Sequence, residues 1–285
     1  MSTSTPVFRT DALGVWSEPR EFAVSREAIR AYAEATNDRL AAHAAGDLAP
    51  PVFAVVPAFE MLAGAAATVI PSELLMMLVH GEQDFSFHQP IRPGTTLQTR
   101  AATVGVHPRS TGVTVTVRGE TRDAADGALL VEQLMTAFVR GARSETTAGE
   151  AAPSHGFDEA LRSRPPDAEV AQTFDADQTF RYSAASGDPM PIHLDDELAR
   201  AMGLPGIIIH GLCTMAFTSQ VVIGHACPDD PTRLRRLAVR FARVVEPRQT
   251  ITTRVWDGGA GRLHFETTSD SGDVVIRDGL AEIAG

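Results

Sequence analysis

The chain has no lysine. All 25 of its basic residues are arginine, which excludes Schiff-base chemistry, lysine-anchored pyridoxal phosphate and the lysine of a phosphate-binding loop. Cysteine is nearly absent too: Cys213 and Cys227 stand without paired spacing, so neither a disulfide framework nor a cysteine zinc site is indicated. No apolar run approaches the roughly 20 residues that a membrane helix needs. Met1-Ser-Thr-Ser-Thr-Pro6 lacks the charged and apolar regions of a secretory leader. The final Ala281-Glu-Ile-Ala-Gly285 is not a peroxisomal address. These absences set the expectation of a cytoplasmic protein without membrane contact. Positive charge is also scarce. With 36 acidic residues the net charge is −11, which argues against nucleic acid as a partner and requires a local arginine patch for any anionic ligand. No G-x-S-x-G elbow and no Rossmann glycine fingerprint occurs.

What is present is an ordinary globular composition, 44% hydrophobic and 21% charged over 285 residues. That length suits one large domain or two of about 140 residues. An imperfect internal repeat favours two. Tyr32-Ala-Glu-Ala-Thr-Asn-Asp38 aligns with Tyr182-Ser-Ala-Ala-Ser-Gly-Asp188, and Pro51, Met61, Phe87 and Pro93 then align with Pro205, Met215, Phe241 and Pro247. Each copy runs from a short helix and a loop to an apolar helix, at about 58–70 and 211–225, and then to alternating strands. Val113, Val115 and Val117 alternate with Thr114, Thr116 and Arg118; Leu237, Val239 and Phe241 alternate with Arg236, Ala238 and Arg240. This period of two marks half-buried antiparallel strands, and a helix followed by strands argues an α+β class. The expected organisation is a first repeat at 1–141, a polar, Pro-containing linker at 142–170 and a second repeat at 171–285.

The chemistry concentrates in the second repeat. Asp188-Pro-Met-Pro-Ile-His193 is followed by Pro205-Gly-Ile-Ile-Ile-His210-Gly211. Pro189 and Pro191 remove two backbone donors, so Asp188 to His193 forms a loop or turn rather than a helix interior. Asp195 reads as the N-cap of a helix of about eight residues closed by Gly203 and Pro205. Gly211 opens the apolar helix, where the first N–H groups have no intrahelical partner. A carboxylate, an imidazole and a free amide are what proton transfer beside a developing oxyanion requires. By ligand type alone, Asp188, His193, Asp195 and His210 could also hold a metal, but the reading adopted has none. Cys213 on the same helix reads as a small core residue.

The segment resembles the signature of MaoC-like hydratases, also called hydratase 2 or (R)-specific enoyl-CoA hydratases. Tyr182, Gly187, Asp188, Pro191, His193, Pro205, His210 and Gly211 match; Met190 stands where the family has Asn. The resemblance implies a double hotdog: two fused copies of a central helix wrapped by an antiparallel sheet. It implies reversible water addition to trans-2-enoyl thioesters, with Asp188 and His193 handling water and protons and Gly211 N–H as oxyanion donor. Met190, Pro191, His210, Arg236 and Arg240 are the expected substrate-contacting residues. The substrate is a thioester of coenzyme A or acyl carrier protein, with no other cofactor, and the assembly a homodimer. A hotdog thioesterase and a non-catalytic acyl-thioester-binding subunit are the competing readings.

Three further expectations follow. Asp38-Arg-Leu-Ala-Ala-His43 keeps the Asp-to-His spacing, but the counterpart of Gly211 is Pro57, which has no N–H to offer an oxyanion. The first repeat is therefore expected to be a scaffold. Arg236 and Arg240 share one strand face and either bind coenzyme A phosphates or form a solvated face paired with Asp and Glu. The small residues Ala63 to Ala67 either let the sheet pack closely or open room for an acyl tail.

Overall fold

The computed structural model describes residues 7–285; the Met1–Pro6 stretch read above for leader features lies outside the described residues. The first repeat contains β1 (Arg20–Ala23), α1 (Arg26–Ala35), α2 (Ala41–Ala44), α3 (Phe59–Val69), β2 (Leu78–Phe87), β3 (Thr96–Arg109), β4 (Gly112–Asp123) and β5 (Leu129–Arg140). A connecting stretch carries β6 (Ala148–Gly149) and α4 (Glu159–Arg162). The second repeat contains β7 (Ala168–Thr173), α5 (Gln178–Ser186), α6 (Asp196–Ala201), α7 (Gly211–Ala226), β8 (Leu234–Phe241), β9 (Thr250–Gly259), β10 (Arg262–Ser269) and β11 (Val274–Ile283).

The strands form one antiparallel sheet in the order β1-β3-β4-β5-β2-β8-β11-β10-β9-β7, with β6 on β3. Read from either end, the order is the same pattern of repeat-equivalent strands. β2 and β8 join the halves, pairing Glu82 with Arg240, Asp84 with Ala238 and Ser86 with Arg236. Each half-sheet wraps a helix, α3 or α7, which is the double hotdog expected from the resemblance. The repeat-equivalent tyrosines meet where α1 packs on α5: the hydroxyls of Tyr32 and Tyr182 are 3.4 Å apart and both rings are buried.

The two central helices are buried differently. On α7 the run Leu212 to Ser219 is buried at every position, as expected of a helix enclosed on all sides. On α3, Leu62, Ala65, Ala66 and Val69 face a core built with Ala101, Val106, Val113, Val115 and Val139, while Ala63 and Gly64 lie on the exposed side. The Thr103 hydroxyl donates to the Ala65 carbonyl at 2.7 Å. Ala65 and Ala66 thus let the sheet approach the helix backbone closely.

The connecting stretch is tied to the sheet rather than draped over it. A Cβ on Gly105 would lie 1.9 Å from the Glu150 carbonyl oxygen, and one on Gly149 would lie 2.0 Å from that of Val104, so β6 reaches β3 only because both positions are glycine. Cys213 and Cys227 are buried and unbridged. Among the described residues no helix is long and apolar enough to cross a membrane.

Candidate active site

Local sequence chemistry sets the loop that carries Asp188. Helix α5 ends at Gly187, whose φ of +75° places it in the left-handed region that glycine adopts without strain. The chain then turns, and the Asp188 carboxylate accepts from the Met190 N–H at 3.1 Å, an aspartate turn. The Ser183 hydroxyl donates to the Asp188 carbonyl at 2.7 Å. Pro191 occupies the first position of a 3-10 turn, Pro191–His193, where its missing N–H costs nothing. Asp195 caps α6 by accepting from Leu198 N–H at 3.0 Å, which anchors the far end of the loop.

His193 and His210 are held against this turn. His193 Nδ1 donates to the Ile208 carbonyl at 2.7 Å. His210 Nε2 donates to the Asp188 carbonyl at 3.3 Å. The two imidazole rings stack with centroids 3.7 Å apart, and the Tyr182 ring is tilted against His210 with centroids 4.8 Å apart. Asp188, His193 and His210 are all buried, and each offers a side-chain ligand atom within 4.8 Å of the others. By ligand type this set would suit a metal ion.

Burial governs the charge states. It pushes the Asp188 carboxyl up to about 6 against the pull of the Met190 N–H. It pushes His193 down to about 4, opposed by the Ile208 carbonyl. His210 falls to about 3, through burial and then the neighbouring His193. At neutral pH the arrangement is an ionised carboxylate beside two neutral imidazoles. Gly211 begins α7, and among the described residues its N–H has no hydrogen-bond acceptor. The Phe241 ring lies over this glycine: a Cβ there would meet it at 3.3 Å. His80 of the first repeat packs edge-on against Phe241, with centroids 5.0 Å apart.

The structure gathers Asp188, His193 and His210 and sets Met190 and Pro191 on the turn that carries them. Met190 contributes its N–H, while its side chain is 47% exposed, so that contact survives the replacement of Asn. Arg236 and Arg240 are elsewhere. They point from β8 to the face opposite Phe241, and both are ion-paired. Arg236 contacts Asp84 at 2.7 Å and Glu282 at 3.5 Å; Arg240 contacts Glu82 at 2.7 Å and Asp278 at 3.1 Å. Coenzyme A phosphates would have to displace those carboxylates, so the paired strand face is the reading this geometry favours. Sequence reasoning missed Ile208, Ser183, Phe241 and His80. Ile208 acts through its backbone carbonyl and left no side-chain signal; Ser183 sits inside the Tyr182 motif and was readable as a local cap.

Fold and site together define a double-hotdog protein whose candidate chemistry is concentrated in one of two repeats. The model described as MaoC like domain matches residues 159–278, and that of the MFE-2 hydratase 2 N-terminal domain matches residues 43–141. A protein named 3-hydroxyacyl-thioester dehydratase Y from Mycobacterium tuberculosis is 31% identical, over 82% of this chain and 82% of its own. The peroxisomal multifunctional enzyme type 2 of Drosophila melanogaster is 30% identical over 82% of this chain, which spans 39% of that longer protein. A solved MaoC-like dehydratase from Phytophthora capsici superposes with a TM-score of 0.84 at 20% identity, over 96% of this chain and 97% of its own. The chain belongs to the MaoC-like, hydratase 2 family.

Proposed function

We propose that this chain is an (R)-specific 2-enoyl-thioester hydratase, equally a 3-hydroxyacyl-thioester dehydratase, working from the second repeat. The observation that carries the reading is the grouping of an ionisable buried carboxylate (Asp188), an imidazole with one uncommitted nitrogen (His193) and an amide without acceptor (Gly211). In hydration, the water oxygen bonds to C3, the C2–C3 double bond opens and charge gathers on the thioester oxygen. Asp188 and His193 hold the water and take one of its protons. The enolate then collapses as C2 receives a proton from the same pair, so that one water is added and nothing else is consumed. Gly211 N–H faces the developing oxyanion, a contact of the type worth a few kcal/mol.

No cofactor is required beyond the coenzyme A or acyl-carrier-protein part of the substrate. A cytoplasmic homodimer completes the proposal, its two repeats divided by a connecting stretch that begins at 142 and ends before β7 (Ala168–Thr173) rather than inside it at 170. Crotonyl-CoA tests it: hydration removes the enoyl-thioester absorbance without liberating thiol. Thiol release would mark a thioesterase, and no reaction a binding subunit.

A further inference from the structure

The two repeats orient their histidines differently. In the second, the Ile208 carbonyl accepts from His193 Nδ1. Its repeat equivalent in the first is the carbonyl of Ala54, but there His43 Nδ1 is taken by Asp38 Oδ2 at 2.7 Å. The Ala54 carbonyl accepts instead from Gln133 Nε2 at 3.2 Å, and a chain of side chains starts from it. Gln133 Oε1 accepts from Gln83 Nε2 at 3.1 Å, and Gln83 Oε1 lies 3.0 Å from His80 Nε2. Both glutamines are buried.

A carbonyl only accepts, so the direction of every bond in the chain follows from that end. Gln133 turns its amide nitrogen to Ala54, Gln83 turns its own to Gln133, and His80 donates from Nε2. Burial pushes His80 down to about 4 against the pull of Gln83, so at neutral pH the ring is uncharged and held in one tautomer. This ring is the one packed edge-on against Phe241, with centroids 5.0 Å apart, and Phe241 lies over Gly211. The repeat-equivalent residues are different. At the same offset His80 corresponds to Leu234 and Gln83 to Leu237, while Phe241 corresponds to Phe87 and Gly211 to Pro57. Of the two helix starts, the hydrogen-bonded ring serves the one that keeps its amide.

We propose that His80 is a positioning residue contributed by the first repeat to the reaction in the second. The Gln83–Gln133–Ala54 chain holds its ring against Phe241, Phe241 is thereby kept over Gly211, and the place of the oxyanion amide is set. An oxyanion donor works only over a narrow range of distance. A ring tied by a hydrogen bond keeps one orientation, where the leucine of the other repeat is free to turn among its rotamers. The inference rests on the proposed function, which makes Gly211 N–H the donor.

His80→Leu, which copies Leu234 onto the first repeat, tests this in the full chain. Because the amide acts on charge that builds only in the transition state, kcat for crotonyl-CoA should fall about 10-fold with KM unchanged. His80→Gln keeps a donor for Gln83 but removes the ring, and should show the same fall should His80→Leu not fold. In a Gly211→Pro background either change should cost nothing further, since no amide is left to place. A merely structural role would cost as much there as in the parent. In glycine-labelled protein the Gly211 Hα signal, identified by its loss in Gly211→Pro, should move in both His80 variants as the Phe241 ring shifts. Unchanged kcat, a KM rise that accounts for the loss, an equal loss without the amide, or an unmoved Gly211 signal would each overturn the proposal. If the parent does not hydrate crotonyl-CoA the proposed function fails, and the Gly211 signal still decides whether His80 sets the place of that residue.

Discussion

His193 donates from Nδ1 to the Ile208 carbonyl oxygen across 2.7 Å. That bond fixes the tautomer and leaves Nε2 as the only ring nitrogen free to exchange a proton, the arrangement a general acid/base needs. Replacing His193 with Ala, or Asp188 with Asn, should lower turnover of crotonyl-CoA by about 100-fold or more. Far-UV circular dichroism should stay unchanged. Wild-type-like turnover in either variant would remove these residues from the mechanism.

Acidity gives an independent handle. Burial holds the Asp188 carboxyl up at about 6 and His193 down at about 4. The working pair of ionised Asp188 and neutral His193 therefore dominates above pH 6. Hydration efficiency should fall roughly tenfold per pH unit below that value and level off toward neutrality. A profile that stays flat down to pH 5 would contradict the assignment.

The same shift makes Asp188 a cost to stability. Its folded carboxyl keeps its proton up to about pH 6, whereas the unfolded one releases it near 3.8. Across that window the folded state binds more protons, so stability falls as pH rises and the full penalty is present above 6. Asp188→Asn should then melt a few degrees higher than the parent at pH 7. A carboxylate serving only as a loop cap would show the reverse, a lower melting temperature.

Asymmetry between the repeats is testable in both directions. His43→Ala should keep nearly full hydration activity. Gly211→Pro copies the first repeat's Pro57 onto the second. Proline is well tolerated at the first helical position, so the fold should persist while the amide donor disappears and turnover drops by about 100-fold. Gly211→Ala is the control: it keeps the N–H, and the nearest atoms its Cβ meets are those of the Phe241 ring, at 3.3 Å. Equal losses in the two variants would assign the defect to crowding rather than to the missing amide.

Arg236 and Arg240, each held between two carboxylates, should not govern coenzyme A affinity. Changing both to Ser is expected to leave the Michaelis constant for crotonyl-CoA unchanged at low ionic strength. A rise in that constant would restore them as phosphate contacts.

The offset between Tyr32 and Tyr182 already implied two copies of one unit, and the alternating valines of β4 and the apolar run of α7 were readable because side-chain period reports burial directly. The site was legible where it depends on side chains in one short segment, Asp188, His193 and Gly211. It was illegible where backbone or distant strands contribute. Ile208 acts through a carbonyl that any residue carries. His80 comes from the first repeat and approaches Phe241 only because β2 pairs with β8. The arginine face was ambiguous for a related reason: Asp84 and Glu282, which neutralise Arg236, come from strands far away in sequence, so no local pattern announced the pairing.

The central claim is that water addition happens at Asp188 and His193 of the second repeat alone. The most direct measurement is the rate of loss of enoyl-thioester absorbance of crotonyl-CoA, with free thiol monitored in parallel, for the parent, His43→Ala and His193→Ala. The account predicts hydration without thiol release in the parent and in His43→Ala, and near-complete loss in His193→Ala. Thiol release by the parent, or a His43→Ala defect as deep as that of His193→Ala, would contradict it.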